Sequence, residues 1–409
     1  MRIGYILLDG CADRPHSALN YTTPLEAAYT PNLDRMAKAA GLGTVTTVGK
    51  GVSPESDIAV FNMLGYSFRT GYPGRGVVEA VGAGLRFSDG QLALRANLAT
   101  VSGRTIADRR AGRDLTQEEA KALESDMNSI SLSDADVDFR ATVSYRGVLV
   151  IRAKEPLSAA ISNTDPAYAR LGGFGTARAT TGKESIMQAR PENGARPAVL
   201  AARLVNEFTA KSLKVLAGSE VNRERSRQGK KPANCVLFRD AGDHLPALKS
   251  FEEKHGMKGT AIVEMPAEVG IAKLLGMKMV RLEDRNDLVR KARVFSRELN
   301  DGTITYVHIK GPDEFGHDGD VVGKKKCVEK IDKDFFSVAA ESLSDSRLAV
   351  SCDHSTPCEL KTHSSDPVPL LITSAGKRDG LRFTEKNAKR GSLGALMGRE
   401  VLTRVIETP

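Results

Sequence analysis

Tryptophan is absent from the 409-residue chain, and aromatic residues of all kinds make up only 5% of it. The most basic short stretch, residues 223–231, contains no aromatic side chain. Single-stranded nucleic acids are held by stacking bases on aromatic platforms along a basic groove, so half of that device is missing and no nucleic-acid partner is expected. Cysteine is scarce too. Cys11, Cys235, Cys327, Cys352 and Cys358 are odd in number and no two have C-x-x-C spacing. That argues against a disulfide framework and a thiolate zinc site, and for reduced thiols. Long apolar runs are also lacking. No stretch nears the roughly 18 residues needed to span a bilayer, so no membrane partner is expected. The opening run Tyr5-Ile6-Leu7-Leu8 meets Asp9 too soon for a secretory core, and reads as the first strand of a cytoplasmic protein.

What is present fits a two-domain globular chain, because 409 residues exceed one compact core on ordinary domain sizes. The formal charge is +8. Residues 101–250 hold 24 Lys/Arg against 18 Asp/Glu, so +6 of that excess lies in the middle. A basic middle segment suits a small anionic substrate as well as a solvated surface. Short apolar runs at 2–8, 259–263, 303–309, 347–352 and 368–372 alternate with helical patterns such as that through Ile271, Leu274, Leu275 and Met277. This predicts α/β architecture with a mainly parallel sheet covered by helices on both faces. The middle is more polar. It alternates at Thr142–Tyr145 and 148–151, and a helical stretch covers 197–208. It predicts an inserted α+β domain over 104–250, with 1–103 and 251–409 forming the sheet domain. A homo-oligomer is compatible with this composition.

Three aspartates follow three of the strand patterns. Asp9 comes after Leu8, Asp313 after Ile309-Lys310-Gly311-Pro312, and Asp353 after Cys352. Ligands of open α/β sheets bind beyond the carboxyl ends of the strands, so parallel strands would bring these side chains to one edge. Like charges gathered there call for a divalent cation. His317 lies four residues after Asp313 and would share its face if that loop turns helical. His354 adjoins Asp353, and His363 follows nine residues later. Asp and His without thiolates suit Zn²⁺ or Mn²⁺ and leave the ion's identity open.

A fourth segment, Gly49-Lys50-Gly51-Val52-Ser53-Pro54-Glu55-Ser56-Asp57, precedes the apolar run 58–64. Ser53 before Pro54 reads as a helix N-cap with proline in the first helical position. Ser56 is then left for chemistry, at a helix terminus whose amides can hold phosphate.

These segments carry a resemblance. Asp9-Gly10-Cys11-Ala12-Asp13-Arg14-Pro15, Thr23-Pro24-Leu25-Glu26-Ala27-Ala28, Ser56-Asp57 and Gly74-Arg75-Gly76 resemble archaeal-type cofactor-independent (2,3-bisphosphoglycerate-independent) phosphoglycerate mutases of the alkaline phosphatase superfamily. Asp313-Glu314-Phe315-Gly316-His317-Asp318-Gly319, Asp353-His354-Ser355-Thr356-Pro357-Cys358 and Lys361-Thr362-His363-Ser364-Ser365-Asp366-Pro367-Val368-Pro369 look like that family's later metal loops. The resemblance implies an alkaline-phosphatase-like fold and two divalent metal ions. Mn²⁺ is the favoured ion, with Mg²⁺, Co²⁺ or Zn²⁺ as alternatives. Asp9, Ser56, Asp353 and His354 would hold one ion, and Asp313, His317 and His363 the other. It also implies interconversion of 3-phosphoglycerate and 2-phosphoglycerate in glycolysis and gluconeogenesis, through a phosphoserine on Ser56 and without 2,3-bisphosphoglycerate. Arg109, Arg110, Arg113 and Arg225 become candidates for gripping the small phosphoglycerate substrate, with surface salt bridges as their bland alternative. Asp165 becomes a candidate for moving protons between glycerate oxygens. Another phosphatase or phosphomutase of the same superfamily is the alternative reading.

Overall fold

A computed structural model describes residues 1–171, 174–177, 184–282, 284, 286–344, 346–373 and 378–407. The chain divides into two compact units. One comprises Met1–Tyr72, Leu248–Glu264 and Leu275–Pro409, and the other Pro73–Ala247 with Met265–Leu274. In chain order the strands are β1 (Ile3–Leu8), β2 (Ala40–Thr46), β3 (Leu92–Ser102), β4 (Thr105–Asp108), β5 (Ala135–Ala141), β6 (Arg146–Ala153), β7 (Tyr168–Leu171) and β8 (Phe174–Ala177). They continue as β9 (Cys235–Gly242), β10 (Lys258–Val263), β11 (Lys278–Arg281), β12 (Thr303–Ile309), β13 (Arg347–Cys352), β14 (Val368–Thr373) and β15 (Gly394–Met397).

The first unit is built on an eight-stranded sheet of order β11-β10-β12-β1-β13-β14-β2-β15. Only β14 runs antiparallel to its neighbours; every other pairing is parallel. Every residue of β1 and β12 is buried, as expected when both faces of a parallel sheet are covered. That is why Ile3–Leu8 and Thr303–Ile309 read as continuous apolar or β-branched runs rather than alternating ones.

The second unit has an antiparallel sheet of order β4-β3-β6-β5, with β9 on the free side of β3, and a separate β7-β8 pair. Alternate residues of β3 serve two faces. Leu92, Leu94, Ala96 and Leu98 pack with Leu123 and Met127 of helix Gln117–Asn128 and with Val205 and Phe208 of helix Arg196–Ala217. Ala93 faces the other way, onto Val77 and Ala80 of helix Arg75–Gly82. That helix crosses helix Pro266–Leu274 at backbone contact. A Cβ on Gly82 would lie 1.8 Å from the Pro266 carbonyl oxygen, and one on Gly270 would lie 1.9 Å from that of Val78, so only glycine allows the approach.

Two expectations differ from what is seen. The edge expected at 104 falls inside the β3–β4 hairpin, and β3 is a central strand of the second sheet. Its uninterrupted burial mimics a parallel core strand and hides the boundary. Thr142–Tyr145 does not form a strand but the turn between β5 and β6, with Ser144 at φ 54°.

Candidate metal centre and arginine cluster

Strand register accounts for the meeting of Asp9 and Asp353. Leu8 lies opposite Ile309 on one side and Cys352 on the other, all parallel, so the next residues leave the same sheet edge together. Beyond β12, Gly311 turns the chain at φ 129° and Pro312 opens the helix Pro312–Asp318. Asp313 lies in its first turn and His317 one turn later, on the same face. The donor atoms fall into three groups, each within 4.8 Å: Asp313, His317 and His363; Asp9, Asp313 and His354; and Asp9, His308 and Asp353. The seven expected ligands are thus brought to one edge, with Asp313 bordering both expected sets. His354 Nε2 lies 3.2 Å from Asp353 Oδ2, 3.5 Å from Asp9 Oδ1 and 3.0 Å from Ser56 Oγ. His363 Nε2 and His317 Nε2 lie 3.4 and 3.5 Å from the Asp313 oxygens.

The imidazoles are held from behind. His317 Nδ1 is 3.1 Å from the Lys361 carbonyl and His363 Nδ1 is 2.7 Å from that of Pro54. A carbonyl only accepts, so both Nδ1 atoms donate, and Nε2 is turned toward the carboxylates. That arrangement is what metal-bound histidines require.

Charge is unbalanced at this edge. Burial raises Asp9 to about 7, with Lys310 opposing and Asp353 and Asp313 adding to the rise. Burial also disfavours charge on Asp353, but His354 and His308 outweigh it and hold that carboxyl below its usual range. Burial works against a charged His363, yet its bond to Asp313 lifts it to about 9. Among the described residues, buried Asp9 Oδ1 and Asp353 Oδ2 have no hydrogen-bond partner. Orphaned carboxylate oxygens are costly unless a cation faces them. Carboxylate and imidazole donors without sulfur suit Mn²⁺ or Zn²⁺, so the residues fit divalent ions.

Two residues of this cluster escaped the sequence reading. His308 Nε2 lies 3.3 Å from Asp353 Oδ2, and Lys310 Nζ lies 3.1 Å from Asp9 Oδ2. Their signal was available: a histidine and a lysine at the end of an apolar strand, just ahead of Asp313.

Ser56 is the first residue of the helix Ser56–Met63. Its cap is Glu55, which makes no side-chain capping bond. Ser53 is therefore not the N-cap and Pro54 is not in the first helical position. The helix begins two residues later than expected, which puts Ser56 itself among the unsatisfied amides of the first turn. Asp57 beside it accepts a hydrogen bond from Tyr72.

In the second unit the structure joins Arg109 to Asp165 by a two-pronged ion pair, with Nε to Oδ1 at 3.0 Å and Nη2 to Oδ2. Asp165 is 1% exposed. The chain from Ala111 through Gly112 to Arg113 is left-handed throughout, with φ of 41°, 78° and 63°, and Arg113 is exposed. Arg110 is half-buried, its amide bonded to Asp108. Arg225 requires a correction. It is 1% exposed. Its guanidinium donates to the Lys231 and Ala111 carbonyls, Glu119 Oε2 and Asp114 Oδ1. It clamps the 111–114 turn, and leaves no free edge for a substrate.

The arginines that sequence reasoning missed are more telling. Arg95 on β3 and Arg239 on β9 are direct cross-strand partners, and both are buried. Like charges facing across a sheet are destabilising. Glu79 Oε1 lies 3.2 Å from Arg95 Nε, and Asp240 Oδ2 lies 3.6 Å from Arg239 Nε. The Arg239 guanidinium is 3.6 Å from the centre of the Tyr168 ring. Even so, Arg239 Nε and Nη1, Arg95 Nε and Asn97 Oδ1 have no hydrogen-bond partner among the described residues. Burial, then Arg239 and Arg75, pull Arg95 down to about 10. Guanidiniums with hydrogen-bonding capacity left over can pair with an anion.

Fold and cluster together define a mainly parallel α/β protein whose sheet edge gathers the donors of a divalent-ion centre. Among the described residues no helix is long and apolar enough to cross a membrane. The family model for 2,3-bisphosphoglycerate-independent phosphoglycerate mutase matches residues 37–222. An Aeropyrum pernix protein of that name is 44% identical over 97% of both chains. A Methanopyrus kandleri protein of the same name is 36% identical over 98% of this chain and 94% of its own. Among solved structures, a Thermoplasma acidophilum cofactor-independent phosphoglycerate mutase aligns with a TM-score of 0.64 at 28% identity, covering 99% of each chain. A Pyrococcus horikoshii protein aligns at 0.79 with the same identity, covering 100% of this chain and 98% of its own. The chain belongs to the 2,3-bisphosphoglycerate-independent phosphoglycerate mutase family.

Proposed function

We propose that this chain interconverts 3-phosphoglycerate and 2-phosphoglycerate through a phosphoryl group carried on Ser56, without 2,3-bisphosphoglycerate. Asp9, Ser56, Asp353 and His354 would hold one divalent ion and Asp313, His317 and His363 another. Such ions lower the pKa of a bound hydroxyl and neutralise charge on a transferring phosphoryl group. The observation that carries the reading is Ser56 Oγ, 3.0 Å from His354 Nε2 at the first residue of a helix. There Oγ shares the proposed ion with that nitrogen, and the first-turn amides can donate to phosphoryl oxygens. In the cycle the bond from phosphorus to the C3 oxygen breaks as that to Oγ forms. The C3 oxygen takes a proton and the C2 hydroxyl gives one up before it receives the phosphoryl group. Asp165, held by Arg109, is the proposed group for that proton exchange. Arg109, Arg110 and Arg113, joined by Arg95 and Arg239, are the proposed grip on the substrate's anionic groups.

The test is purified protein with 3-phosphoglycerate and Mn²⁺, scored for 2-phosphoglycerate against free phosphate. The expected product is 2-phosphoglycerate, lost on chelation and reduced by several decades in Ser56→Ala. Acid quenching should leave phosphate on Ser56. Free phosphate as the main product would move the chain to the phosphatase reading, and a label on another residue would remove Ser56 from its role.

A further inference from the structure

We infer that Thr356 is a positioning residue: its hydroxyl turns His354 so that Nε2 is the open nitrogen, and ties that histidine to Asp313. The inference rests on the divalent-ion reading above and names a residue outside the ligand sets.

Thr356 Oγ1 lies 2.6 Å from Asp313 Oδ1 and 3.0 Å from His354 Nδ1. A hydroxyl has one proton to give and two lone pairs to offer. An ionised carboxylate only accepts, so the Thr356 proton goes to Asp313, and His354 Nδ1 must then be the donor to Oγ1. This leaves Nε2 bare where Ser56 Oγ, Asp353 Oδ2 and Asp9 Oδ1 converge on it. His317 and His363 obtain the same orientation from backbone carbonyls. His354 obtains it from a side chain, so here alone among the three a substitution can remove it. The same hydroxyl reaches one residue from each expected ligand set, His354 and Asp313.

The surroundings keep that hydroxyl in place. Thr356 is fully buried. Its amide donates to the Ala12 carbonyl at 3.1 Å. Its own carbonyl accepts from Lys324 Nζ at 2.8 Å, and that fully buried lysine also donates to Asp13 Oδ2 at 2.8 Å. Gly10, at φ 55°, lies so close that a Cβ there would be 2.6 Å from both Thr356 Oγ1 and Asp313 Oδ1. Without the hydroxyl, Nδ1–H loses its acceptor in a buried place. The ring can then turn, or shift its proton onto Nε2, among the ligands.

Two pairs of variants isolate the hydroxyl. Wild type and Thr356→Val differ by it at equal volume, as do Thr356→Ser and Thr356→Ala at smaller size. Metal-stripped protein is titrated with Mn²⁺ by calorimetry, with kcat and KM measured beside it. The expected result is about 10–100-fold weaker Mn²⁺ binding in Val and Ala than in their hydroxyl-bearing partners, the usual cost of a lost outer partner. Serine should restore most of the affinity. Should the valine protein fail to fold, the serine–alanine pair still decides. Equal affinity within each pair, or serine as weak as alanine, would overturn the role of Thr356 while leaving the ion site standing. No Mn²⁺ binding by the wild type would overturn both readings.

Discussion

The first unit gathers carboxylates at a sheet edge, whereas the second gathers guanidiniums in the middle of a sheet, and each set keeps buried polar atoms without a hydrogen bond among the described residues. Asp9, Asp313 and Asp353 face histidines whose Nε2 atoms point inward, with two carboxylate oxygens lacking a hydrogen bond among the described residues. Arg95 and Arg239 face each other across two strands, with three guanidinium nitrogens lacking a hydrogen bond among the described residues. Buried groups left in this state destabilise a fold. Such groups are tolerated where something that is not protein completes them, and the proposed function supplies a cation for one unit and an anion for the other. The contrast also separates arginines that bind from arginines that brace, and the predictions press on that division.

The largest expected effect is on a brace. Replacing Arg225 by methionine keeps its bulk but removes four hydrogen bonds, two of them to the 111–114 turn. Breaking a buried pair costs about 3–5 kcal/mol, and the lower end applies because Asp114 and Glu119 keep access to water. Denaturant unfolding should show a loss of about 3 kcal/mol. Substrate affinity should suffer only as far as the turn loses its shape. Unchanged stability with a collapsed kcat/KM would return Arg225 to the substrate and erase the distinction from Arg239.

Arg239 should behave in the opposite way. If its free nitrogens receive an anionic group of the substrate, Arg239→Met forfeits hydrogen bonds to a charge, about 1.5–3 kcal/mol of binding. That corresponds to roughly one to two decades in kcat/KM. Stability should hold or rise slightly, since Arg95 loses the like charge opposite it. A fall in melting temperature with wild-type kinetics would make Arg239 another brace.

The two sites were not equally legible in the sequence. Asp9, Asp313 and Asp353 each follow an apolar strand pattern, and parallel pairing alone brings such residues to one edge. His317 was found through its four-residue spacing from Asp313, which the helix Pro312–Asp318 realises. Arg95 and Arg239 gave no such signal. They lie mid-strand, 144 positions apart in the sequence, and meet through an antiparallel pairing that no local pattern specifies. Five of the eight strands of the first sheet, β1, β10, β12, β13 and β14, were legible from their apolar runs, and β2, β11 and β15 were not; the start of the second unit was hidden because β3 is as buried as a core strand of the first. Thr356 was quoted within a motif and passed over, since a threonine's role here depends on which proton it holds.

The smallest expected effect tests the helix start that the sequence misjudged. Read from sequence, Ser53 caps a helix opened by Pro54, and its loss would cost about 1 kcal/mol, the usual value of a cap. In the structure the helix opens at Ser56, the cap position belongs to Glu55, and Ser53 is exposed. Glu55 makes no side-chain capping bond there. A terminus that its own cap residue leaves unbonded suits a segment proposed to receive phosphoryl oxygens, which a serine bonded to those amides would spoil. Ser53→Ala should accordingly shift stability by less than about 0.5 kcal/mol, the range of an ordinary surface substitution. Activity should stay near that of the wild type, in contrast with Ser56→Ala. Measured destabilisation near 1 kcal/mol would mean that the helix in solution starts at Pro54, and that Ser56 lies one turn inside it rather than at its open end.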